Sequence, residues 1–188
     1  MTSMDYFHQM YARSSDPWHL TERPYERRKY ELTVASLPAR RFARAYEPGC
    51  SVGVLTEMLA ARCDVLVASD PVEKAVELTR GRAPGVTTML GALPACWPDG
   101  PLDLVVFSEV LYFLDAADRA ASIDGARRAL VPGGVLACVH WRHPFAEADC
   151  DGDQVQREVD AAPGFVERVR HVERDFVLVV LERGASDD

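Results

Sequence analysis

From Phe42 onward the apolar residues fall into two alternating rhythms. Residues 65–69, 102–108 and 135–141 are short apolar runs bounded by charge or turn residues, the pattern of strands buried on both faces. Residues 42–47 form a shorter, weaker run of the same kind. Between the runs, apolar positions recur at helical spacing. Val54, Leu55, Met58 and Leu59 share one face of a helix predicted over 51–62, and Val72, Val76 and Thr79 form the stripe of another over 71–80. The turn Asp99-Gly100-Pro101 precedes the 102–108 run. Asp115 can cap a helix reaching Leu130, where Pro132-Gly133-Gly134 breaks it.

The two ends of the chain differ from this middle. Residues 1–38 read as a helical extension interrupted at Asp16-Pro17-Trp18 and Arg23-Pro24, because proline lacks a donor and disfavours helix at the preceding residue. A helix over 25–37 follows, ending before Pro38. At the other end a helix over 153–161 leads into strands 165–172 and 175–181, paired as a hairpin. Residues 39–188 therefore predict an α/β domain whose mostly parallel sheet has an antiparallel edge.

The chemistry is concentrated in Glu47-Pro48-Gly49-Cys50-Ser51-Val52-Gly53, which joins the first strand to a helix. Ligands of such sheets bind beyond the C-terminal strand ends, near the reversal of strand order. A dinucleotide needs Gly-x-Gly-x-x-Gly, with its pyrophosphate on the helix N-terminus. This loop has two glycines, four apart, with Glu47 just ahead of them. A carboxylate there repels pyrophosphate but attracts the ammonium of an amino acid. S-adenosylmethionine carries that ammonium and no phosphate. Asp70, 17 residues after Gly53, closes the next strand, where a carboxylate can accept both ribose hydroxyls. Followed by Pro71 and Glu73, it could equally form a helix cap.

Composition narrows the partners. The 188 residues suffice for one domain with a full core, and a net charge of −8 argues against nucleic acid. No segment reaches the roughly 18 apolar residues that cross a bilayer, and the first residues lack an apolar signal core. A cytoplasmic location is expected. Five cysteines without a Cys-x-x-Cys pair suggest neither a disulfide framework nor a zinc knuckle. His140 and His143 lack a convincing third ligand, so no metal is expected. Oligomeric state, monomer or homodimer, is not encoded legibly.

The chain resembles the class I S-adenosylmethionine-dependent methyltransferases, most closely the nodulation protein S-like branch. The resemblance rests on Asp16-Pro17-Trp18, Pro24-Tyr25-Glu26-Arg27-Arg28-Lys29-Tyr30, the Glu47–Gly53 loop, Ser108-Glu109-Val110-Leu111-Tyr112-Phe113-Leu114 and His140-Trp141-Arg142-His143-Pro144. It implies a Rossmann-like, seven-stranded sheet with an antiparallel C-terminal strand and helices on both faces. It implies that Glu47, Gly49 and Gly53 line the methionine part of the cofactor and that Asp70 holds the ribose. Gly91, Ala92 and Leu93 should flank the adenine, and Ser51, Pro71 and Ser108 should complete the lining. Trp18, Tyr25 and Arg28 should form a lid, with Arg28, or else Lys29, meeting the cofactor carboxylate. Two positions depart from the family pattern. Pro48 removes a loop N–H, and Ala92 replaces an acid that reads the adenine amino group.

The resemblance further implies N-methylation of an amine or aminosugar on a small-molecule acceptor. Methyl transfer from a sulfonium needs mainly proximity, orientation and a dry site. Candidates at the strand ends are Glu109, for the acceptor ammonium or its proton, Tyr112 as wall or hydrogen-bond partner, and His140, which titrates near neutrality. Trp141 and Phe145 could wall the acceptor. The competing readings are O-methylation of a small metabolite, a non-catalytic S-adenosylmethionine-binding protein, and a nicotinamide dehydrogenase, which the loop disfavours.

Overall fold

The computed structural model describes residues 3–185, apart from the side chains of residues 3 and 4. Seven strands form one sheet: β1 (Phe42–Pro48), β2 (Cys63–Asp70), β3 (Thr87–Leu90), β4 (Leu102–Ser108), β5 (Leu130–Trp141), β6 (Phe165–Val172) and β7 (Phe176–Arg183). Their order is β3-β2-β1-β4-β5-β7-β6. The first five pair in parallel, and β7 runs antiparallel to both β5 and β6. The order reverses between β1 and β4, which puts a switch point beyond their C-terminal ends.

Continuous apolar runs are explained by burial on both faces. Ala45, Leu66, Leu104, Val106, Ala137 and Val180 pack on one side with Leu55 and Leu59 of α3 (Val54–Ala60). Tyr30 of α2 (Pro24–Ser36) joins them. The alternate residues Tyr46, Val67, Val105, Phe107, Leu136 and Val179 pack on the other side. They meet Ile123 of α5 (Ala116–Ala129) and Val155 and Val159 of α6 (Gly152–Asp160). A smaller cluster joins Tyr11 of α1 (Ser3–Arg13) to Val52 of the loop after β1 and to Val72 and Ala75 at the start of α4 (Glu73–Arg82).

Four expectations are corrected. α3 begins at Val54 rather than Ser51, because Ser51 (φ 52°) and Gly53 (φ 78°) are left-handed and hold the loop open. Asp70 does not cap α4. Val72 is the N-cap residue, and the Asp70 carboxylate instead accepts the N–H groups of Val72 and Ser51, each at 3.0 Å. The helix before Pro132-Gly133-Gly134 ends as expected, at Ala129, but β5 begins at Leu130 and takes that segment in, whereas the sequence placed its start at 135. The irregular register between Leu102 and Leu104 leaves room there for a residue without an N–H. β3, a short strand of four partly exposed residues, carries no apolar run and was not expected.

Candidate active site

The C-terminal ends of β1, β2 and β4 open into a cavity of about 450 Å³, within the range of small-molecule sites. Gly49 N–H and Cys50 N–H both donate to Ser69 O, at 2.7 and 2.9 Å, which pins the loop to the end of β2. The donor removed by Pro48 is thus absent from a loop whose next two donors are already engaged. Gly49 (φ 74°) lies close under Val110, and a Cβ there would sit 3.1 Å from Val110 Cγ2. Thr79 hydroxyl donates to Ser51 O at 3.0 Å. The Ser51 hydroxyl meets Tyr11 OH at 2.7 Å, tying α1 to the loop.

Of the sequence-derived residues, Trp18, Glu47, Gly49, Ser51, Asp70, Pro71, Ala92, Leu93, Ser108, Glu109 and Tyr112 line the cavity. Trp141 and Phe145 line it as well. Gly53, Tyr25, Arg28 and His140 do not. Gly53 faces Thr79, where a Cβ would come within 2.9 Å of Thr79 Cα. Tyr25 packs edge-on against Trp141 and Phe176, at 5.7 and 6.2 Å between ring centroids. Arg28 is half exposed and bound by both nitrogens to Glu173, at 2.6 and 2.9 Å. His140 is fully buried, neither ring nitrogen has a partner, and burial pushes the imidazole down to about 4. It is a neutral core residue beside the Tyr112 ring, not a group facing a ligand.

Of the N-terminal residues, Trp18 and Lys29, the alternative to Arg28, were expected at the site. Tyr6, Phe7 and Tyr11 of α1, and Arg23 and Glu26 around the start of α2, line the cavity as well and were not. Only the interspersed aromatics of residues 6–18 hinted at them. Arg23 is exposed and lines the cavity, whereas Arg28 does not.

Two electrostatic environments divide the cavity. At the β1–β2 end Glu47 is 2% exposed and its Oε2 has no hydrogen-bond partner. Burial lifts its pKa to about 8, against the pull of the neighbouring Thr56 hydroxyl and with a smaller push from Asp70. Burial also lifts Asp70, to about 6, against the pull of its two backbone N–H donors. Each Asp70 oxygen keeps one lone pair for a further donor. At the β4–β5 end Glu109, left-handed at φ 58°, accepts Lys29 Nζ at 2.6 Å on Oε1. Its Oε2 accepts Tyr112 OH at 2.6 Å and Trp141 N–H at 2.8 Å. Burial works against its charge, but Lys29 and the other donors outweigh it and hold the pKa below the ordinary value. Lys29 is likewise desolvated, yet Glu109 and Glu26 raise its pKa above that of an ordinary lysine. His143 instead pairs with Asp175 at 2.8 Å, and among the described residues no cluster of three or more His, Cys, Asp or Glu could hold a metal ion.

The family profile described as nodulation protein S (NodS) matches residues 4–137. The chain belongs to the nodulation protein S family. With that family it belongs to the class I S-adenosylmethionine-dependent methyltransferases. Nodulation protein S of Rhizobium tropici is 32% identical over 143 residues, which are 69% of this chain and 60% of that protein. This chain thus spans less than two thirds of that relative's length. Nodulation protein S of Bradyrhizobium diazoefficiens is 30% identical over 157 residues, 75% of each chain. The N-methyltransferase NodS of Bradyrhizobium japonicum WM9, solved with S-adenosyl-L-homocysteine, superposes with a TM-score of 0.86 at 25% identity, covering 97% of this chain and 99% of that one.

The residues of this nodulation protein S family member suit the family's cofactor. An orphaned, desolvated carboxylate oxygen at Glu47 suits an ammonium, and the spare acceptor capacity of Asp70 suits a ribose diol. In the Gly91–Leu93 segment the Ala92 carbonyl accepts Cys96 N–H at 2.9 Å, which leaves it one lone pair.

Proposed function

We propose that this chain transfers a methyl group from S-adenosylmethionine to an amine of a small molecule. The observation that carries the reading is Glu47, a buried acid with an unpartnered oxygen beside Asp70 at a strand-order switch point. S-adenosylmethionine, when bound, supplies a methyl group already activated by the sulfonium charge. Glu47 would hold its ammonium, Asp70 the ribose, and Arg23 the carboxylate. Ser51, Pro71 and Ser108 would complete that lining, with Gly91, Ala92 and Leu93 beside the base. Tyr6, Phe7, Tyr11 and Trp18 would cover the site and exclude water, giving residues 1–38 the role of a lid over the 39–188 domain.

An amine is favoured over a hydroxyl for a specific reason. A hydroxyl needs a base to release its proton. Glu109 accepts three donors and is held acidic, and His140 lies outside the cavity, so neither suits that role. A neutral amine brings its own lone pair and asks only to be oriented, a task suited to Tyr112, Trp141 and Phe145.

No helix among the described residues is long and apolar enough to cross a membrane. The five unpaired cysteines suit a reducing, cytoplasmic setting.

Thermal unfolding with S-adenosylhomocysteine and with NAD tests the proposal. S-adenosylhomocysteine at about 100 times its Kd should stabilise the fold by roughly 2.7 kcal/mol, and NAD should leave it unchanged. Stabilisation by NAD, or none by millimolar S-adenosylhomocysteine, would contradict it.

A further inference from the structure

The β4–β5 half of the cavity sets two carboxylates around one buried lysine. Lys29 Nζ lies 2.6 Å from Glu109 Oε1 and 2.8 Å from Glu26 Oε2, so one cation faces two carboxylates and the group carries a net −1. The lysine is almost wholly enclosed, with 3% of its side chain exposed. Such a buried excess of charge is costly unless a further partner arrives.

The two carboxylates are not equivalent. Glu109 already takes three donors, Lys29 on Oε1 and both Tyr112 OH and Trp141 N–H on Oε2. Glu26 is 8% exposed and lines the same cavity, and its Oε2 makes no aligned hydrogen bond despite the close approach of Lys29. Glu26 therefore has the greater acceptor capacity of the two. The surroundings already tolerate a cation: Lys29 Nζ sits 5.3 Å from the Tyr25 ring centroid and 5.8 Å from that of Tyr30. Trp141 and Phe145 offer apolar walls to the body of a ligand whose charged end points at α2.

We infer that Glu26 is the docking carboxylate for the ammonium of a primary-amine acceptor, an inference that rests on the methyl-transfer reading above. The incoming cation brings the Glu26–Lys29–Glu109 group to neutrality, which a hydroxyl cannot do. Before transfer the docked ammonium gives up one proton to water, which leaves the neutral amine whose lone pair attacks, so atoms and charge balance.

Calorimetric titration of the S-adenosylhomocysteine complex at pH 7 tests this. The probes are n-butylamine and glucosamine, each set against its neutral counterpart, n-butanol or glucose. In the wild type at least one cationic probe should bind about tenfold tighter than its neutral counterpart, as expected for a hydrogen bond between charged groups. Glu26→Gln should erase that preference, and Glu26→Asp, which keeps the charge, should retain part of it. Both variants should bind S-adenosylhomocysteine within about twofold of wild type, which reports an intact fold. Equal binding of cationic and neutral probes by the wild type, or an unchanged preference in Glu26→Gln, overturns the inference. Failure of the wild type to bind S-adenosylhomocysteine overturns the methyl-transfer reading itself and this inference with it.

Discussion

Replacing Glu47 by glutamine should make the free protein more stable and the cofactor complex weaker. Glu47 is buried, and its pKa rises from the ordinary 4.5 to about 8 because burial disfavours the carboxylate. The folded state therefore holds this proton more tightly than the unfolded chain does. That contribution is complete below pH 4.5 and is lost as the pH climbs to about 8. At about 1.4 kcal/mol per decade, the wild type has given up roughly 3 kcal/mol by pH 7. Glu47→Gln does not titrate and should not pay this cost. Its chemical denaturation midpoint should match the wild type near pH 4.5, exceed it at pH 7, and exceed it further at pH 8.5. Meanwhile the variant loses a charge-assisted contact of about 1.5–3 kcal/mol to a bound ammonium. Part of that loss is offset at pH 7, where the wild type must first ionise. Calorimetry should show affinity for S-adenosylhomocysteine falling severalfold at pH 7 and about tenfold or more at pH 8.5, where the wild type is already ionised. A variant that is less stable at every pH, or that binds as tightly as wild type, would refute the reasoning.

Three further outcomes follow from the geometry. Gly53→Ala places a Cβ 2.9 Å from Thr79 Cα at a left-handed φ of 78°, so urea denaturation should show a loss of about 1–3 kcal/mol; a neutral effect would mean the loop relaxes freely. His140 is held down to about 4 by burial, so the wild type loses stability as pH falls from 6.5 towards 4. His140→Leu should flatten that part of the acid-stability curve, and an unaltered curve would place the acid sensitivity elsewhere. Arg23→Ala should weaken S-adenosylhomocysteine binding about tenfold, whereas Arg28→Ala, which breaks only the pair with Glu173, should leave it within twofold; the reverse ranking would restore Arg28 to the site.

The fold was legible where burial is two-sided. β4 matches its apolar run at both ends, because Leu102 to Ser108 is enclosed on both faces. β3 was not legible, because a four-residue strand at a sheet edge has too few buried positions to leave a period. Pro132-Gly133-Gly134 marked the end of α5 correctly, but the early start of β5 was not legible, because those residues usually punctuate a chain, while here a register irregularity absorbs them. In the site, Glu47 and Asp70 were readable because strand ends fix their positions. Most residues of α1 and α2 were not, Lys29 being named only as the alternative to Arg28, since which face of a short helix meets the cavity depends on tertiary docking. Arg28 and Lys29 are neighbours in sequence, yet one faces Glu173 outside the cavity and the other Glu109 within it. His140 shows the converse error, a strand-end position mistaken for a cavity-facing one.

A crystal structure of the complex with S-adenosylhomocysteine tests the central claim most directly. The account predicts one ligand at the ends of β1 and β2, with its amino group on Glu47 and its ribose hydroxyls on Asp70. A ligand bound elsewhere, or bound there with Glu47 still unpartnered, would contradict it.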